Sequence, residues 1–200
     1  MIRSGIGLVA LLTTIAALIP DAGAKQYRYK PVPPDAPVSE DQARQYYRGC
    51  KKLSPPRFTD KALEYYCLCL ADRVQKKLSQ RDIYFLRNAD SARMRKLALI
   101  KYVDSVITSC AAEPVGMIFE KRCMEERGTD PRVDKLGPTC QCLGERMREW
   151  TKINAGAIIS RQLKRQPEEY RDNPLSALME ARRLLTGRTD QLLTCIRENQ

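Results

Sequence analysis

The sequence predicts an all-α protein made of two tandem, disulfide-stapled helical repeats with essentially no β-strand. Apolar residues recur every three or four positions along most of the chain, and the strict alternation typical of half-buried strands is absent. Eight cysteines also fall into two groups of four with nearly the same spacing. The helical spacing of the apolar residues therefore predicts the fold class, and the cysteine spacing predicts that the fold is divided into two repeats.

The first 24 residues have the parts of a secretory signal peptide. Arg3 supplies a positive charge, residues 6–19 form an apolar run, and the segment closes on Ala22-Gly23-Ala24. A run of 14 residues is shorter than the ~20 that a membrane-spanning helix needs. We expect cleavage after Ala24 and an exported protein, periplasmic in a bacterium and otherwise secreted, with no transmembrane anchor.

Residues 25–38 are predicted to form a Pro-rich tether. Four prolines fall within positions 31–37, and Tyr27 and Tyr29 stand beside basic residues. This composition favours extended polyproline geometry over packing.

The cysteine positions indicate an internal duplication. The first four read C-x16-C-x-C-x40-C and the last four C-x16-C-x-C-x52-C. The first three members of each set align with one offset of 73 residues, which is improbable by chance. We therefore predict helical repeat 1 over residues 39–112 and helical repeat 2 over residues 113–200. The eight cysteines are Cys50, Cys67, Cys69, Cys110, Cys123, Cys140, Cys142 and Cys195.

Repeat 1 is predicted to contain four helices. Ser39 opens the first with an S-x-x-Q capping box, and Thr59 or Asp60 can cap the second. Ser79 starts a short third helix and Ser91 a longer fourth one.

Repeat 2 is predicted to follow a similar order. Its first helix covers residues 114–124, and its second starts at Gly137-Pro138 and continues to Leu163. Proline suits the first turn of a helix, where its missing N–H has no intrahelical acceptor. Two further helices are expected over residues 175–185 and 189–197.

Each C-x-C motif should be divided between two neighbouring helices. Side chains two positions apart leave a helix about 200° apart, so they cannot reach the same neighbour. Closeness in the chain favours Cys50 with Cys67 and Cys69 with Cys110, which is the pairing we prefer. Cys67 and Cys110 each lie on the apolar stripe of their own predicted helix, which favours the alternative of Cys67 with Cys110 and Cys50 with Cys69. Repeat 2 should pair in the same way.

Chemistry at the cysteines is the main alternative to a structural role. Cys140 and Cys142 fall in the first turn of a predicted helix, where the helix dipole lowers a thiol pKa, so a thiol-disulfide oxidoreductase or chaperone using a C-x-C pair is the runner-up. C-x-C thiolates could also bind a soft metal ion. The chain has no histidine, which excludes Ser-His-Asp and Cys-His nucleophiles. We assign no catalytic residue, cofactor or metal.

The net charge of +11 is the surface property that points to a partner. Such a field attracts lipid headgroups, envelope polysaccharides and acidic proteins, whereas no nucleic-acid recognition motif accompanies it. The sequence therefore predicts a non-catalytic binding, adaptor or inhibitor protein acting on a protein or an anionic envelope component, with no specific nucleic-acid binding. Alternatively, the charges only solubilise helix faces. The candidate anion-binding residues are Arg93, Arg95, Lys96, Arg146, Arg148, Arg161, Lys164, Arg165, Arg182, Arg183 and Arg188.

Overall fold

The computed structural model describes residues 33–53, 58–88, 92–127, 135–165 and 174–199, and nearly all of them are helical. Those ranges contain no strand, only one isolated bridge between Pro37 and Ser79, so the all-α fold class is confirmed. The predicted signal peptide lies outside the described residues. The helices are α1 (Glu40–Leu53), α2 (Asp60–Lys77), α3 (Gln80–Arg87), α4 (Ala92–Tyr102), α5 (Thr108–Arg127), α6 (Leu136–Arg165), α7 (Pro174–Met179) and α8 (Arg182–Asn199), with a π-helical turn at Val103–Ile107 between α4 and α5.

Side-chain caps start the first three helices where the sequence predicts them. The backbone N–H of Ser39 donates to Gln42 Oε1 at 2.9 Å, and the N–H of Gln42 donates to Ser39 Oγ at 3.2 Å. Thr59 caps α2, and Ser79 forms a reciprocal capping box with Asp82 at the start of α3. These bonds satisfy amide groups that the first turn of a helix leaves without intrahelical partners.

The end of the predicted tether is held against the helices. The Gln80 backbone N–H donates to the Ala36 carbonyl at 2.8 Å, Pro37 forms the bridge to Ser79, and Val38 is 3% exposed. The packed part of the chain therefore includes residues 36–38, which precede the expected start of repeat 1.

One continuous helical segment crosses the predicted boundary between the repeats. Helix α4, the π-helical turn and α5 follow one another without a break over residues 92–127. The expectation that a new helix begins near Pro114 is therefore wrong, because Pro114 lies inside α5. An interior proline costs about 3 kcal/mol through a lost hydrogen bond and a clash with the preceding turn. Burial of Pro114 beside Val115 and Ile118 helps to offset that cost.

The last two helices divide at a different place from the one expected. The chain turns at Glu180, between α7 and α8, and continues as one helix through Gly187 and Arg188, where the sequence predicted a break. A Cβ on Gly187 would stand 2.8 Å from Trp150 Cε2 on α6. This glycine therefore permits close helix packing and does not end a helix.

An antiparallel pair, α5 and α6, forms the centre of the fold. Helix α2 packs against α1 and α5, whereas α7 and α8 pack against α6. One hydrophobic core extends from Leu63 on α2 through Phe119 on α5 and Met147 on α6 to Leu192 on α8. Both predicted repeats contribute to this core, and the duplication itself stays a prediction.

None of the described helices is both long and apolar enough to cross a lipid bilayer.

Candidate functional site

Four disulfide bonds involve all eight cysteines. The bonds are Cys50–Cys67, Cys69–Cys110, Cys123–Cys140 and Cys142–Cys195, with Cα–Cα distances of 5.6, 5.7, 5.3 and 5.8 Å. These are the pairs that closeness in the chain favours. The alternative pairing of Cys50 with Cys69 is not formed.

Each C-x-C motif joins its helix to two different neighbours. On α2, Cys67 bonds to α1 and Cys69 bonds to α5. On α6, Cys140 bonds to α5 and Cys142 bonds to α8. The angle of about 200° between side chains two positions apart produces this division. The motifs therefore fasten α2 and α6 to the helices around them.

The Cys142–Cys195 bond lies beside a carboxylate. The sulfur and carboxylate atoms of Cys142, Cys195 and Glu198 all fall within 4.8 Å of one another. Because the two sulfurs are bonded to each other, they offer no thiolate to a metal ion. The Glu198 carboxylate instead accepts a bond from Arg146 at 2.5 Å, so this cluster links α6 to α8.

A second polar cluster links α1 to α2. The Tyr47 hydroxyl donates to Glu64 Oε1 at 2.6 Å, and the Lys51 ammonium donates to Glu64 Oε2 at 2.6 Å. The Lys51 bond, followed by the Tyr47 bond, holds the pKa of Glu64 below its usual value. A general acid needs a raised pKa, so this arrangement favours a structural carboxylate.

Three of the candidate anion-binding residues are paired within the protein. Arg146 forms an ion pair with Glu198. Arg148 forms an ion pair with Glu113, with 2.7 Å between Arg148 Nε and a carboxylate oxygen, although the Nε–H group is not directed at that oxygen. Arg188 forms an ion pair with Glu126. Their charges are largely balanced by these carboxylates, so they stabilise contacts between helices and are poor candidates for an external anion.

The other eight candidates have no ion pair with the residues that the structure describes. Lys164 and Arg165 lie in the last turn of α6, where the helix dipole favours cations. Four more lie in the first turns of α4 and α8, and neither of these turns contains an acidic residue. The dipole disfavours cations there. The eight are Arg93, Arg95, Lys96, Arg161, Lys164, Arg165, Arg182 and Arg183.

Helix α4 also presents apolar side chains to solvent. Leu97 is 52% exposed, Ile100 45% and Met94 36%. The structure describes every residue of α4, and Ala98 is the one that is buried. We call Arg93, Met94, Lys96, Leu97 and Ile100 the α4 outer face. The sequence analysis missed this outward stripe, although apolar residues on more than one side of the helix were a signal for it.

These features define a disulfide-stapled helical protein with several cations that have no ion pair among the described residues. No protein-family model, curated protein or solved structure matches the chain.

Proposed function

We propose that this chain is an exported, non-catalytic binding or adaptor protein that holds an anionic envelope or extracellular partner on its cationic helix surfaces. One observation carries this proposal. Arg93, Arg95, Arg182 and Arg183 stand in the first turns of α4 and α8, where the helix dipole opposes them and no described acid neutralises them. Cations that serve only solubility are more stably placed in a last turn. An anionic partner would supply the missing compensation.

Export is supported by two independent features. The signal-peptide pattern of residues 1–24 directs secretion, and four disulfide bonds persist in oxidising compartments outside the cytosol. Envelope and extracellular surfaces are rich in phosphate and carboxylate groups, with which arginine forms bidentate hydrogen bonds.

The proposal is tested by measuring how tightly the protein binds dextran sulfate, a soluble polyanion, over a range of salt concentrations. One variant carries Arg93→Gln, Lys96→Gln, Arg182→Gln and Arg183→Gln. A control with the same net charge neutralises four cations that already pair with a neighbour on their own helix: Arg44, Lys76, Lys121 and Lys152.

The first variant should bind at least about tenfold more weakly, and the control should stay within about threefold of the parent. Each phosphate-like contact that is lost should also reduce the salt dependence of binding. Equal weakening by the two variants would mean that net charge alone governs binding, which contradicts a role for the unpaired cations.

A further inference from the structure

We infer that the α4 outer face binds the surface of an anionic lipid bilayer. Leu97 and Ile100 would enter the headgroup region, and Arg93 and Lys96 would pair with lipid phosphates. The inference rests on the proposed function and specifies its partner.

The exposed apolar residues of α4 form a stripe along one side of the helix. Met94, Leu97 and Ile100 are spaced three residues apart, so they lie on successive turns. Single exposed apolar side chains are ordinary. A row of them on a helix that buries few of its own side chains marks a surface that a partner covers when the protein functions. A surface helix normally presents polar residues at these positions.

Cationic side chains lie beside this apolar stripe, on the same turns of the helix. With about 100° of turn per residue, Arg93, Leu97 and Ile100 fall within about 60° of one another, and Lys96 adds about 40° on one flank. Apolar and cationic side chains therefore face the same direction. Helices that lie in a membrane interface have this arrangement. Their apolar side chains reach the acyl chains, and their cations stay at the level of the lipid phosphates.

The charge of α4 is entirely positive. Its eleven residues include Arg93, Arg95, Lys96 and Lys101 and no acid. Lys101 is neutralised by Asp82 of α3, at 2.5 Å. Arg95 is half-buried with its Nε enclosed in the protein, so Arg93 and Lys96 are the two cations of the α4 outer face. The exposed Asp104 follows in the π-helical turn and ends the positive stretch. The α4 outer face is thus complementary to an anionic surface up to that residue.

A bilayer fits this face better than a folded acidic protein does. Stable protein interfaces bury at least about 1,000 Å² in total around a core of several apolar anchors. The outward side of one three-turn helix offers only three apolar side chains on a convex ridge. Membrane binding has no such minimum, because it increases with each inserted side chain and with each cation near the surface.

Vesicle flotation of the disulfide-intact mature protein tests the inference. Vesicles of phosphatidylcholine with about one third phosphatidylglycerol are compared with pure phosphatidylcholine. The test variant is Leu97→Asn with Ile100→Asn. The matched control is Leu68→Asn with Leu193→Asn, because those leucines are 55% and 53% exposed on α2 and α8. All four side chains are exposed, and thermal unfolding of both variants verifies that the fold is kept.

The parent protein should float with the anionic vesicles and not with the neutral ones. The test variant should lose at least about tenfold in partitioning, and its control less than about twofold. Arg93→Gln with Lys96→Gln should weaken partitioning about 25-fold, since each cation near the surface contributes about fivefold. Failure of the parent to float, or equal loss in the test variant and its control, would overturn the inference.

The dextran sulfate measurement separates this inference from the proposed function. Leu97→Asn with Ile100→Asn should bind the polyanion as tightly as the parent does. If the parent binds dextran sulfate but no vesicle, the cationic surface serves a soluble polyanion or an acidic protein, and only the membrane inference fails. If it binds neither, both fail.

Discussion

Gly116 of α5 and Gly144 of α6 meet backbone to backbone. A Cβ on Gly116 would stand 2.8 Å from the carbonyl oxygen of Gly144, and a Cβ on Gly144 would stand 3.2 Å from that of Gly116. The contact lies at the centre of the antiparallel pair, with the Cys123–Cys140 bond further along α5. The two central helices can approach this closely only because neither residue has a side chain.

Gly116→Ala should therefore destabilise the protein. The added methyl group must displace backbone, and overpacking of this kind costs about 1–3 kcal/mol of unfolding free energy. Urea unfolding followed by circular dichroism measures the change. The control is Gly49→Ala in α1, where a Cβ meets nothing within 4 Å. That variant should be stabilised by up to about 1 kcal/mol, because alanine favours the helix. If Gly116→Ala were as stable as Gly49→Ala, the closest approach of α5 and α6 would not lie at Gly116.

The stability contributed by Asp82 should be lost in acid. Burial tends to raise its pKa, but the hydrogen bond from Lys101 and those from Ser79 outweigh it and hold the pKa below the usual 3.8. Because the folded-state pKa is the lower one, the charged carboxylate stabilises the fold fully above about pH 4 and progressively less as the pH falls through the folded-state pKa.

Asp82→Asn tests this pH dependence. It should cost about 1 kcal/mol at pH 7, because a neutral amide loses the ion pair with Lys101 and weakens the capping box with Ser79. The difference from the parent protein should shrink as the pH is lowered from about 4 towards 2. Urea midpoints over this range measure the difference. A difference that stays constant with pH would show that the charge of Asp82 contributes nothing.

Arg188 and Arg161 should differ in their effect on stability. The Arg188 side chain is 19% exposed, pairs with Glu126 and lies over the Phe119 ring at 5.7 Å from its centroid. Arg188→Gln should cost about 1–2 kcal/mol. Arg161 is exposed on α6, so Arg161→Gln should stay within about 0.5 kcal/mol of the parent. Thermal unfolding compares the two, and equal effects would contradict a structural role for Arg188.

Local rules predicted much of the fold. Ser39 and Ser79 start helices because a hydroxyl can bond to an amide group three residues on, which depends on no distant part of the chain. The division of Cys67 and Cys69 between two neighbours likewise follows from helix geometry alone.

Packing between distant segments decided the features that the sequence did not predict. Pro114 and Gly187 ordinarily interrupt helices, yet both lie inside one, since burial supports the first and the Trp150 indole requires the second. The contact of Gly187 with Trp150 depends on a neighbour 37 residues away in the sequence. Tertiary contacts override local preference in such cases.

The candidate site was only partly predictable for the same reason. Arg183 and Arg188 look alike in the sequence, and only the packing of α8 shows that Arg188 meets Glu126. The exposed stripe at Leu97 and Ile100 is visible in the sequence, because apolar residues occur on two sides of α4. Which side faces the core depends on how α4 packs against α3.

The mature protein should begin at Lys25. Cleavage after Ala24 follows from the small residues at the end of the predicted signal peptide. Intact mass spectrometry of the exported protein measures its start directly. A protein that retains Met1 and needs detergent for extraction would show that the segment is an anchor.

The central claim is that all eight cysteines are structural and that each C-x-C motif fastens its helix to two neighbours. Proteolysis without reduction, followed by mass spectrometry and a thiol count on the denatured protein, tests it most directly. We predict no titratable thiol and four linked peptide pairs, Cys50–Cys67, Cys69–Cys110, Cys123–Cys140 and Cys142–Cys195. A bond between Cys67 and Cys69 or between Cys140 and Cys142, or two free thiols in one motif, would contradict the claim and favour thiol-disulfide chemistry.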